Sequence, residues 1–199
     1  MSKLNWMQTY TGIQWFPLEP DSTKVDIVDI AHALSLICRF GGHSLYHYSV
    51  AAHSLHVARY MPPEIAIHGL LHDAAETYLG DVVRELKSSL MVMDSGSAEN
   101  IIYYAALEAR TKVAIYKGLG IHAPGTDKEQ EVIQQVRYWD NAVLATEAEQ
   151  LFPDRVAPWD MDVDKNHIPP ANVLICQRLP GLVEIDFLEE YEHLRKCMK

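Results

Sequence analysis

The pair His72-Asp73 lies in Ile67-His68-Gly69-Leu70-Leu71-His72-Asp73-Ala74-Ala75-Glu76, where an imidazole and a carboxylate interrupt an apolar run. Both groups are good ligands for divalent cations such as manganese, cobalt, nickel or iron. Neither sits comfortably in a core without a partner. Adjacent helix positions point roughly 100° apart, so one ion at the helix edge can touch both side chains. A helix-terminal histidine near the C-terminal dipole, with a solvated aspartate beside it, would satisfy the same short pattern. The segment Tyr48-Ser49-Val50-Ala51-Ala52-His53-Ser54-Leu55-His56 adds a second histidine, His53, 19 residues before His72 with Pro62-Pro63 between them. Two helices joined by so short a turn lie antiparallel, and their facing histidines converge. His56 and His68 read as polar boundary residues. Asp140, in Val136-Arg137-Tyr138-Trp139-Asp140-Asn141-Ala142, is a carboxylate in an apolar neighbourhood. A metal would account for it. So would Arg137, three residues back, through an ion pair worth only about 0.2–0.5 kcal/mol. Glu147 follows seven residues later, on nearly the same helix face.

The elements that carry these residues read as helices. Apolar residues at Ile27, Ile30, Ala31, Leu34 and Ile37 form a helical stripe that predicts a helix over 25–40, ended by Gly41-Gly42. Ser49 is the expected N-cap of a second helix to Met61. Pro63 suits the first turn of a third, over 64–79, stopped by Gly80. A short helix over 81–90, a linker at 94–97 and a long helix over 98–116 follow, with loop at 118–125. Thr126 and Glu129 match a capping box, opening a helix to about Phe152. Residues 1–24 read as loop or a short hairpin around Thr11-Gly12. Residues 153–172, with four prolines, read as irregular. Val173–Cys176 reads equally as strand or helix, and 187–197 as the closing helix. The fold class expected is all-α: a single domain over 1–199, with six or more helices around one core.

Composition narrows the function. The 199 residues suffice for one core and are few for two. A formal charge of -10 disfavours long nucleic acid as a partner, while a bound divalent cation would still allow a small phosphorylated ligand. Three cysteines, Cys38, Cys176 and Cys197, form no CxxC pair, which points to reduced thiols in a cytoplasm rather than a disulfide framework. The start MSKLNWMQTY has neither a basic stretch nor an apolar run, so no signal peptide is expected. No stretch approaches the roughly 20 apolar residues of a membrane helix.

Taken in order, a histidine, a His-Asp pair and a later helical aspartate resemble the HD-domain phosphohydrolases. The likeness is closest to the bacterial and phage branch similar to 5′-deoxynucleotidases. It rests on Ser49-Val50-Ala51-Ala52-His53-Ser54, on His72-Asp73-Ala74-Ala75-Glu76-Thr77-Tyr78-Leu79-Gly80-Asp81, and on Asp140. The matched region runs from about 26 to 151, somewhat under two thirds of the chain. Two departures stand out: Ala52 occupies a position that is often Glu or Gln in relatives, and the gap between His53 and His72 is shorter than in many of them.

The resemblance implies that His53, His72, Asp73 and Asp140 hold one divalent ion (Mn, Co, Mg, Ni, Fe or Zn). It implies that Glu76 is the acid/base or water-orienting group, and that Asp81 is a second acidic residue near the sugar, a position where it would equally serve as an N-cap. Arg39, 14 residues before His53, matches an arginine that binds phosphate in relatives; its guanidinium offers bidentate geometry. His43 and Lys87 are further substrate-binding candidates. Trp15 is a candidate to stack on a base or, equally, to plug a core edge. The activity implied is removal of phosphate from (deoxy)nucleoside 5′-monophosphates. A deoxynucleoside triphosphate triphosphohydrolase would use the same ligands, and a helical nucleotide-binding module without catalysis would lack some of them. Association into a dimer or larger homo-oligomer is expected, with a small nucleotide as partner and no membrane.

Overall fold

The structure, a computed structural model, describes residues 5–93, 101–124, 130–152 and 171–198. Among them are eight helices and two short antiparallel strand pairs, so the chain is mainly helical rather than purely so. None of these helices is long and apolar enough to cross a membrane.

The hairpin around Thr11-Gly12 is present: β1 (Met7–Gln8) pairs with β2 (Gln14–Trp15), and Gly12 supplies the positive φ of 89° that the turn needs. Its tip is tied down by the buried Asp29, whose carboxylate accepts from the Thr11 N–H at 2.7 Å and the Thr11 hydroxyl at 2.9 Å. That anchorage delivers Trp15 into the core, fully buried and stacked on Tyr78 with ring centroids 3.8 Å apart. The face of the indole is therefore occupied. Of the two roles open to Trp15, core packing is the one realised, and base stacking is withdrawn.

Helix α1 (Ile27–Leu36) is capped by Asp26 and stops four residues short of the expected end at Phe40. The chain leaves the helix because Arg39 N–H donates to the Tyr48 carbonyl at 2.9 Å and Val50 N–H donates to the Ile37 carbonyl at 3.0 Å, forming a short bridge between Cys38 and Ser49. Arg39–Gly42 then forms a tight turn in which Phe40 takes φ 58°, a left-handed conformation that costs a non-glycine residue about 1–2 kcal/mol. The departure from the helix is what turns Arg39 inward.

Helix α2 (Val50–Arg59) begins at the expected N-cap, with Ser49 accepting from Ala52 N–H at 3.2 Å. It packs on α1, on α3 (Ala66–Leu70), on α7 (Gln130–Gln150) and on α8 (Pro180–Cys197). Gly69 permits the close approach of α3: a Cβ there would meet Met61 Sδ at 2.5 Å and the Ala58 Cα at 3.2 Å. Gly69→Ala should therefore destabilise the fold by about 1–3 kcal/mol, the usual cost of overpacking. Urea denaturation checks this, and an unchanged midpoint would contradict it. Ile67, Leu70 and Leu71 are fully buried beside it, each contributing roughly 1.5–3 kcal/mol of apolar burial.

The single helix expected over 64–79 is two, α3 and α4 (Glu76–Leu79), separated by turns at 71–75. Over 81–90 only α5 (Arg84–Lys87) is helical. The helix expected from residue 98 begins at Tyr104, as α6 (Tyr104–Gly118). Before it, β4 (Ile101–Tyr103) pairs with β3 (Met91–Met93); β-branched and aromatic residues favour a pleated ladder over a helical first turn. The linker residues 94–97, the capping box Thr126/Glu129 and residues 153–170 lie outside the described residues. Val173–Cys176 is neither strand nor helix; the Gln150 side-chain amide donates to the Val173 carbonyl and accepts from Ile175 N–H, both at 2.9 Å, in place of a neighbouring strand. Helix α8 starts at Pro180, earlier than the expected 187, with the proline in its first turn.

Candidate metal centre

Helices α2 and α7 and the turn after α3 bring His53, Asp140 and His72 together. His53 Nε2 is 3.0 Å from Asp140 Oδ1 and 3.3 Å from His72 Nε2, and His72 Nε2 is 3.9 Å from Asp140 Oδ1. One ligand atom from each lies within 4.8 Å of the others. Asp73 adjoins the group, with Oδ2 at 3.0 Å from His72 Nε2. Asp140 thus turns to the histidines and makes no ion pair with Arg137.

The far nitrogen of each histidine is already engaged. His72 Nδ1 is 2.7 Å from the Gly69 carbonyl. A carbonyl only accepts, so Nδ1 carries the proton and Nε2 presents its lone pair. His53 Nδ1 donates to Glu147 Oε1 at 2.6 Å, with both side chains fully buried. If both imidazoles are neutral with their protons on Nδ1, two nitrogen lone pairs and a carboxylate oxygen face one another, a donor set that suits a divalent cation. Histidines oriented by a carboxylate or carbonyl behind them are the usual support of a metal site.

Charge leads to the same conclusion. Arg39 donates to Glu147 Oε2 at 3.1 Å and lies 3.6 Å from Asp73 Oδ2. One guanidinium against the carboxylates of Asp73, Asp140 and Glu147 leaves two negative charges, which a divalent ion would balance. Burial would raise the Asp140 carboxyl, but the hydrogen bond from His53 and the adjacent His72 outweigh it and hold it at about 2. Burial likewise opposes ionisation of Glu147, yet Arg39 and His53 keep it at about 2. For His53, burial and Arg39 disfavour protonation; Glu147 and Asp140 prevail and push it up to about 9. Without a metal, a proton is the cation these acceptors share.

Glu76 is buried at the start of α4. Its Oε1 accepts from Lys87 Nζ at 3.0 Å, while its Oε2 is buried without a hydrogen-bond partner among the described residues. Burial, then Asp73 and Asp81, raise its carboxyl to about 8 against the opposing pull of Lys87. Asp81 is partly buried just beyond Gly80, and burial raises its carboxyl too. Lys87 also reaches Glu108 at 3.2 Å. His43 is exposed at the end of the Arg39 turn. A cleft of about 440 Å³ opens from His72, Asp73 and Asp140 between α6, α7 and the segment Ala123–Pro124.

Glu147 is the residue whose role sequence reasoning missed. Its seven-residue spacing from Asp140 put it on the right face, but nothing in the sequence paired it with His53. Glu147→Gln keeps an acceptor for Nδ1 and removes the charge. Divalent-metal affinity should fall about 10–100-fold, the usual effect of an outer partner, as read by calorimetry; undiminished affinity would remove Glu147 from the centre.

No family model matches the chain. It is 28% identical to the uncharacterized protein YfdR of Escherichia coli over 198 residues, covering 98% of this chain and 99% of that one. It is 32% identical to the uncharacterized protein RCAP_rcc00048 of Rhodobacter capsulatus over 130 residues, covering 61% of each.

Proposed function

We propose that this chain is an HD-type, divalent-metal-dependent phosphohydrolase that removes the phosphate of (deoxy)nucleoside 5′-monophosphates. The observation that carries the reading is the convergence of His53, His72 and Asp140, one ligand atom each within 4.8 Å of the others, with Asp73 alongside. The likeness of the surrounding motifs to the HD pattern supplies the reaction class. His53, His72, Asp73 and Asp140 would hold the ion. When bound, a divalent ion supplies Lewis-acid polarisation of a phosphoryl oxygen and lowers the pKa of nearby water.

The protein's own groups have distinct tasks. Glu147 and the Gly69 carbonyl fix the two imidazoles with Nε2 toward the centre. Arg39 holds Asp73 and Glu147 in register. Burial and its acidic neighbours lift the Glu76 carboxyl to about 8; Lys87 holds Oε1, and Oε2 has no hydrogen-bond partner among the described residues. A carboxyl tuned to that range suits proton transfer to a leaving oxygen.

The test is a panel of nucleoside mono-, di- and triphosphates supplied with Mn²⁺, Co²⁺, Mg²⁺, Ni²⁺, Fe²⁺ or Zn²⁺. Orthophosphate should leave the monophosphates, with no inorganic triphosphate from the triphosphates, and EDTA should stop the reaction. Absence of phosphate release from every compound with every metal would refute the proposal.

A further inference from the structure

The two cations that the sequence suggested for phosphate are engaged elsewhere. Arg39 faces Glu147 and Asp73, and Lys87 faces Glu76 and Glu108. Both are thus already paired with carboxylates in buried or half-buried surroundings.

The cleft that opens from the metal centre carries two different cations, Lys112 of α6 and Arg137 of α7. Arg137 is exposed and makes no ion pair among the described residues. Among the described residues Lys112 pairs only with Glu108, one turn back at 4.0 Å, a surface-type contact worth little. Among the described residues, Asp73 and Asp140 are the only acidic ones lining this cleft, and both belong to the proposed ligand group. The chain has 27 acidic against 17 basic residues, so a lining whose remaining formal charges are both positive runs against its composition. The other walls include Val113, Tyr116, Pro124, Ile133 and Val136. The volume, about 440 Å³, falls in the roughly 300–1,000 Å³ range of small-molecule sites.

We infer that Lys112 and Arg137 form the anion-binding edge of this cleft. They take the phosphate oxygens of a substrate whose apolar body lies along Val113, Ile133 and Val136, while Arg39 is a positioning residue for Asp73 and Glu147. The inference rests on the proposed function, since it assumes that the cleft leads substrate to the metal centre. Arg137 suits the task because a guanidinium meets two phosphate oxygens at once.

The test is calorimetric titration of inorganic phosphate into the full chain, with and without Mn²⁺, after Mn²⁺ affinity has been measured alone. Arg137→Met and Lys112→Met should each weaken phosphate binding about tenfold, the equivalent of one charge-assisted hydrogen bond. Mn²⁺ affinity and the melting temperature should hold, because both side chains reach solvent. Arg137→Lys should recover part of the loss. If the double variant binds phosphate as tightly as the unaltered chain while both take up Mn²⁺, the inference falls and the metal-centre reading stands. If the unaltered chain takes up no Mn²⁺, that reading fails, and the metal-free arm still judges the inference: a loss on removing Lys112 and Arg137 upholds it, and equal or absent binding overturns it.

Discussion

His72→Ala should abolish the proposed divalent-metal uptake and, with it, phosphate release. Asp140→Ala, Asp73→Ala and His53→Ala should do the same. The expectation follows from how few donors the centre has. His53, His72 and Asp140 place one ligand atom each within 4.8 Å of the others, so removing one leaves too incomplete a set to strip a divalent ion of its water. The loss should exceed the roughly 10–100-fold cost of disturbing an outer partner. Calorimetry with Mn²⁺ and a phosphate-release assay read the two consequences separately. His72 is the cleanest site, because loss of the fully buried His53 would leave the equally buried Glu147 short of a donor. A His72→Ala chain that binds Mn²⁺ as tightly as the unaltered one would remove the centre from consideration.

The second large effect belongs to Glu76. Glu76→Gln should lower kcat by about 10²–10⁴-fold, the range contributed by a positioned acid or base. KM and Mn²⁺ affinity should change little. The substitution is nearly isosteric, and its amide oxygen can still accept from Lys87, which now bonds Oε1 at 3.0 Å. What disappears is the titratable proton at a carboxyl raised to about 8 by burial and by Asp73 and Asp81. Steady-state kinetics on a monophosphate substrate separate the two parameters. A kcat within threefold of the unaltered chain would assign Glu76 a purely structural place in the Lys87–Glu108 network.

The sequence revealed local structure wherever local rules govern it. Ser49 caps α2 as its side chain predicts, the Thr11-Gly12 turn is a hairpin, and the stripe Ile27–Leu34 forms α1. It also brought His53, His72 and Asp140 together, because two antiparallel helices and one carboxylate costly to leave unpaired suffice for that. What it missed depends on contacts between distant segments. Every residue over 64–79 except Gly69 tolerates a helix after the first turn, so the interruption at 71–75 has no local signal. The inward turn of Arg39 depends on the backbone bridge to Tyr48 and Val50. The burial of Trp15 depends on Asp29 gripping the hairpin tip. Glu147 carried a periodicity signal, but its partners Arg39 and His53 are 108 and 94 residues away.

The interruption between α3 and α4 sets a limit on engineering this protein for heat resistance. In an unbroken helix the Gly69 carbonyl would accept the amide of residue 73; here it accepts from the His72 ring instead. Substitutions chosen to smooth this stretch into one regular rod would return that oxygen to the main-chain ladder and release the imidazole to flip. Hardening the scaffold at this point would trade away the proposed ion capture, so gains in durability must be sought in other parts of the chain.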